Sequence, residues 1–85
     1  MLALHRYEVP VDDQWQAISL SGRVVHVDCR NPHVVELWAL SGVDTPTVQD
    51  FRVFGTGQPL PSEVEHVGTA LAPGGQLVWH LMVTT

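Results

Sequence analysis

Residues 51–61 read Phe-Arg-Val-Phe-Gly-Thr-Gly-Gln-Pro-Leu-Pro, an apolar strand pattern running into a loop with two glycines, two prolines and a threonine. A strand that ends this way exposes backbone N–H groups that no bulky side chain covers, and Arg52 supplies a cation close by. Together these suit an anion or the edge of a nucleotide. The same residues also suit a tight turn closed by proline. The loop lacks the lysine and spacing of a Walker A motif, and no helical pattern follows whose N-terminus could face a phosphate. The expected ligand-binding residues are Arg52, Phe54, Gly55, Thr56, Gly57 and Gln58, with Trp38 as an aromatic platform for a base or sugar and His80 as a further polar contact.

Five histidines, His5, His26, His33, His66 and His80, are many for a chain of 85 residues. Histidine and carboxylate on one strand face, as at His26 and Asp28, can supply two metal ligands, and His66 with His80 could supply two more. No His-x-Glu-x-His or Cys-x-x-Cys motif accompanies them, so neither a metal nor a cofactor is expected. Catalysis finds no better footing. Cys29 is placed on the apolar face of its strand, where a thiol is normally inert, and no serine occupies a nucleophile elbow. No catalytic residue is assigned and the chain is read as non-enzymatic; a metal-dependent hydrolase using His66 and His80 is the weakest alternative.

The elements that must position these residues follow from a hydrophobic period of two, with no period of 3.6. Strand patterns cover residues 4–9, 15–20, 24–29, 34–40, 47–54, 64–71 and 76–83, separated by turn signals such as Asp12-Asp13, Ser21-Gly22 and Asn31-Pro32. Residues 37–40 are apolar on both faces, as in a strand at the centre of a sandwich. The expected fold is all-β: one small antiparallel β-sandwich or partly open barrel of six to seven short strands. Ser62 could cap at most one helical turn. Pro73-Gly74-Gly75 suits a three-residue hairpin loop. Pairing outward from it sets Leu71 opposite Leu77, Thr69 opposite Trp79, Val67 opposite Leu81, His66 opposite Met82 and Gly68 opposite His80. The two imidazoles then share a face as diagonal neighbours, roughly 7–8 Å apart at the backbone, and Trp79 shares the other face with Leu71, Leu77 and Leu81.

The length allows a single domain over residues 1–85, and so small a domain buries only a modest share of its surface. Yet 45% of the residues are hydrophobic, with three tryptophans, more apolar material than one small core needs. A homo-oligomer is therefore expected. The formal charge is −5, and the only cations besides histidine are Arg6, Arg23, Arg30 and Arg52, with no lysine. Four scattered arginines make no basic stripe, which argues against duplex nucleic acid as a partner. No apolar run approaches the roughly 20 residues that span a bilayer, so no membrane partner is expected and the chain is read as soluble. Met1-Leu2-Ala3-Leu4 is interrupted by His5 and Arg6, unlike a signal peptide, and the single Cys29 fits a reducing cytoplasm.

The order and spacing of several short motifs carry a resemblance. The stretch Arg6-Tyr7-Glu8-Val9-Pro10-Val11-Asp12-Asp13-Gln14, the Leu37-Trp38-Ala39-Leu40 strand, residues 51–59, His66-Val67-Gly68-Thr69 and Gly74-Gly75-Gln76-Leu77-Val78-Trp79-His80 resemble a family of small bacteriophage proteins with no assigned activity. Where that family has histidine after Gly-Thr-Gly, this chain has Gln58. The resemblance covers nearly the whole chain. It implies a phage accessory protein, of a kind that counters host defence, in the cytoplasm of the infected bacterium. Combined with the glycine loop, it leads to an expected function: binding and sequestering a small nucleotide signal of host immunity. The alternative is a protein–protein inhibitor or structural module that docks a host defence protein through an acidic surface or a strand edge.

Overall fold

The computed structural model describes residues 2–85. Period-two segments form seven strands: β1 (Ala3–Pro10), β2 (Gln16–Leu20), β3 (Val24–Asn31), β4 (Val34–Ser41), β5 (Thr47–Gly55), β6 (Val64–Leu71) and β7 (Val78–Thr84). They pair antiparallel in two sheets, ordered β1-β4-β3 and β2-β5-β7-β6. The expected all-β class holds, and of its two forms the open sandwich is the one adopted, since each sheet keeps two edge strands. The sequence allows at most one helical turn, at Ser62, and among the described residues there is no helix.

Alternation along each strand builds the core between the sheets. β4, read as central from its apolar run, is the middle strand of its sheet and sends Val35, Leu37 and Ala39 inward to complete burial. β5 sends in Phe51 and Val53, β7 sends in Leu81, and Val9, Leu20, Cys29 and Ala70 close the layer. The sheets approach most closely where the edge strands β3 and β6 meet. A Cβ at Gly68 would lie 2.5 Å from Val27 Cγ2 and 2.8 Å from Val27 Cβ, so only glycine lets the two edges approach this closely.

The β6–β7 hairpin differs in register from the expectation. Ala72 N–H donates to the Leu77 carbonyl and Gly75 N–H to the Ala72 carbonyl, both at 2.8 Å, which makes a four-residue loop over residues 73–76. Both glycines, Gly74 (φ 91°) and Gly75 (φ 73°), take left-handed backbone, where the expected loop used only one. Leu71 therefore opposes Val78, Ala70 opposes Trp79, Thr69 opposes His80 and Gly68 opposes Leu81. A bulge at Val67 absorbs the extra residue and returns His66 to its expected partner Met82. Slip and bulge cancel, so His66 and His80 still share a face. Leu71 and Leu77, expected beside Trp79 on the inner face, are instead exposed at 61% and 56%.

Candidate functional site

Alternation along β5 that buries Phe51 and Val53 between the sheets turns Arg52 and Phe54 to the outer face of the four-stranded sheet. Phe54 is buried there nonetheless. Trp15 meets its ring edge-on at 6.0 Å, and the Arg52 guanidinium lies 4.5 Å from the ring centroid. Beyond Phe54 the chain leaves the sheet through a turn in which Gln58 N–H donates to the Gly55 carbonyl at 3.1 Å. Gly57 sits at φ 87°, the backbone that the third position of a type II turn requires.

The side chain of Gln58 fastens this turn from both ends. Its Oε1 accepts the Gly55 N–H at 3.0 Å and its Nε2 donates to Asp13 Oδ1 at 3.3 Å. Asp13 holds a positive φ of 59° and also stands 3.6 Å from the Arg52 guanidinium. Two of the backbone N–H groups offered by the sequence to an anion, those of Gly55 and Gln58, are thus engaged within the loop. Arg52 is matched to Asp13 and lies against Phe54 and Trp15, outside the lining of the cleft beside it.

That cleft has a volume of about 280 Å³. Phe54, Leu60 and Met82 supply its apolar surface, and residues 55–58, His66 and His80 complete it. A hydrogen-bonded chain runs along one side. Thr56 Oγ1 is 2.8 Å from His80 Nε2, His80 Nδ1 is 3.0 Å from Thr69 Oγ1, and Thr69 Oγ1 is 2.8 Å from His66 Nε2. The two imidazole centroids are 6.3 Å apart. An apolar recess with a few convergent polar groups is the usual form of a small-molecule site.

Six of the eight residues expected to bind a ligand line this cleft: Phe54, Gly55, Thr56, Gly57, Gln58 and His80. Arg52 stands behind Phe54, and Trp38 lies on the other sheet. There Trp38 packs with His26 at 5.4 Å and under Arg30 at 5.6 Å, as part of a separate outer face. On that face Glu36 is 4% exposed, held by Arg30 Nε and Nη2 and by Arg6 Nη1 at 2.7 Å each. These bonds, that from Arg30 foremost, outweigh the cost of burial and pull its carboxyl down to about 2. Cys29 is buried, its thiol facing the Asn31 and Val34 carbonyls at 3.3 and 3.4 Å. Burial, then Asp28 and Glu36, push its pKa up.

The cleft is also lined by Leu60, His66 and Met82, which the sequence does not mark as ligand contacts, and Thr69 links the two histidines from outside the lining. The sequence carries a signal for His66, which the period-two pattern sets on one face with His80, although only a metal role follows from it there; the expected register sets the Thr69 hydroxyl on the opposite face. Among the described residues no group of three or more histidine, cysteine or carboxylate side chains gathers. A larger recess of about 480 Å³ lies between Leu20, Leu40 and Val43, with Arg23, Asp44, Thr45, Thr47 and Gln49 also on its lining and the Ser21 hydroxyl accepting the Gly42 N–H at 2.9 Å; none of the eight expected ligand-binding residues lines it.

No curated protein and no solved structure matches the chain. A family model described as a domain of unknown function, DUF7352, matches residues 1–85, so the chain that builds this cleft belongs to that family.

Proposed function

We propose that this chain is a non-enzymatic binding protein whose glycine-loop cleft holds a small nucleotide. In this reading it is a bacteriophage accessory protein, acting as a homo-oligomer in the cytoplasm of the infected bacterium to sequester a nucleotide signal of host defence. One observation carries the reading: the residues singled out by composition, 55–58 with Phe54 and His80, gather around one concavity of about 280 Å³. Phe54, Leu60 and Met82 suit the apolar faces of a base, and Thr56, His66 and His80 suit its polar edge or a phosphoryl oxygen. The side chains available to a phosphate here are the two imidazoles and Thr56 rather than Arg52. Exposed Leu60, Leu71 and Leu77 support assembly of copies.

The second reading, a protein–protein inhibitor, draws on the exposed strand edges of both sheets and the net charge of −5. One experiment separates the two. The protein is purified from bacteria in which nucleotide-based immunity has been triggered, then heat-denatured, and the supernatant is analysed by mass spectrometry. Sequestration predicts release of one nucleotide species in fixed proportion to protein. Release of none, with a host protein co-purifying at fixed stoichiometry, replaces it with the inhibitor reading.

A further inference from the structure

The chain Thr56–His80–Thr69–His66 has a property that rests on counting protons. Three contacts need three hydrogens, and with both imidazoles neutral two arrangements supply them with Thr69 donating as well as accepting. In the first, His66 Nε2–H donates to Thr69, Thr69 O–H to His80 Nδ1 and His80 Nε2–H to Thr56, which leaves the Thr56 hydroxyl proton free to point into the cleft. In the second every bond is reversed: Thr56 donates to His80 Nε2, His80 Nδ1–H to Thr69, and Thr69 to His66 Nε2. One added proton also fits. With His80 doubly protonated, it donates to both threonines, Thr69 donates to neutral His66, and Thr56 again turns its proton into the cleft. A second added proton would place two cations with ring centroids 6.3 Å apart on one hydroxyl.

From this we infer that the cleft is a proton-linked oxyanion site: the His66–Thr69–His80 chain takes up one proton as a phosphoryl group binds, and Thr56 donates to that group. The inference rests on the proposed nucleotide binding and specifies its chemistry. The proton comes from solvent, no covalent bond is made or broken, and the charge gained by the imidazole pair opposes the charge of the phosphoryl group. The surroundings leave the pair free to take this role. From β5, Arg52 lies across Phe54 and is matched by Asp13. From β7 the neighbour is Met82, and from the loop, uncharged Gln58. Glu65 opposes Val83, whose side chain packs on the core, so it sits on the reverse face of β6. His26 of β3 lines an adjoining recess with Thr69 and packs on Trp38.

The test uses the full chain, NMR of the two imidazoles between about pH 5 and 8.5, and inorganic phosphate as the probe. Without phosphate, each ring should report two steps belonging to the pair, since coupled groups titrate macroscopically. Thr69→Val should bring the two steps closer together, leaving only the repulsion between rings 6.3 Å apart, and Thr69→Ser should restore the full coupling. Titration curves that are the same in wild type and Thr69→Val overturn the proposal. With phosphate, once the ligand's own ionisation at about pH 7 is subtracted, uptake of one proton by the pair makes the affinity rise up to about tenfold for each pH unit lowered above the pair's titration. His80→Asn should flatten that dependence. A nucleotide that binds with pH-independent affinity overturns the proton linkage alone. Phosphate that fails to bind at every pH, with nucleotides failing too, overturns the linkage together with the reading beneath it.

Discussion

Glu36 and Arg52 show how differently two charged side chains on outer sheet faces are used. Glu36 is the one charged side chain buried among the described residues, and its two arginines keep it ionised. Because its pKa falls from 4.5 to about 2 on folding, its contribution is fully present above about pH 4.5 and fades as the pH drops towards 2. Glu36→Gln should cost about 1–3 kcal/mol at neutral pH, and the gap to wild type should close on acidification. Chemical denaturation at a series of pH values checks this, and a constant gap would refute the assigned role. Nothing in the sequence marked Glu36, whose partners come from two other strands. Arg52 was marked, for its place beside the glycines, but its pairing with Asp13 depends on a contact distant in the chain. The sequence reading found a cation near the loop and could not see that an acid had already claimed it.

Strands proved easier to read than their pairing. All seven segments follow from period two and turn residues, with boundaries moved by at most two residues: Trp15 lies outside β2, Gln76 belongs to the hairpin loop, and Leu77 closes that loop ahead of β7. Register was less legible because a hairpin loop of three residues and one of four use the same Pro-Gly-Gly signal, and the bulge at Val67 has no sequence mark of its own. Its position next to Gly68 is where β6 comes closest to β3. Gly68→Ala should therefore destabilise by about 1–3 kcal/mol through overpacking against Val27. The penalty should be smaller in a Val27→Ala background, measured as a double-mutant cycle by urea unfolding. Equal penalties in both backgrounds would mean that the edges can separate without cost, and the close approach would lose its significance.

As a whole molecule, the chain combines a sandwich core with a second, smaller apolar cluster of Trp15, Phe54 and Met82 outside it, and the candidate cleft opens beside that cluster. The surplus of apolar residues noted from composition appears, among the described residues, as eight large hydrophobic side chains left exposed, including Leu60 at the cleft and Leu71 and Val48 on the same outer sheet face. Light scattering should give a mass at least twice the 9.4 kDa of the chain; a monodisperse monomer would leave that surface without the partner assigned to it. Thermal unfolding with a panel of cyclic dinucleotides and trinucleotides, cyclic ADP-ribose isomers and mononucleotides tests whether the cleft binds a nucleotide. A ligand present at about 100 times its dissociation constant adds roughly 2.7 kcal/mol, a shift of several degrees for a domain of this size. The account predicts such a shift for at least one member, abolished by His80→Asn and by Gly57→Val, which forces a branched side chain onto a φ of 87°. If no member moves the wild-type transition, or if both variants keep the full shift, the cleft is not the binding site.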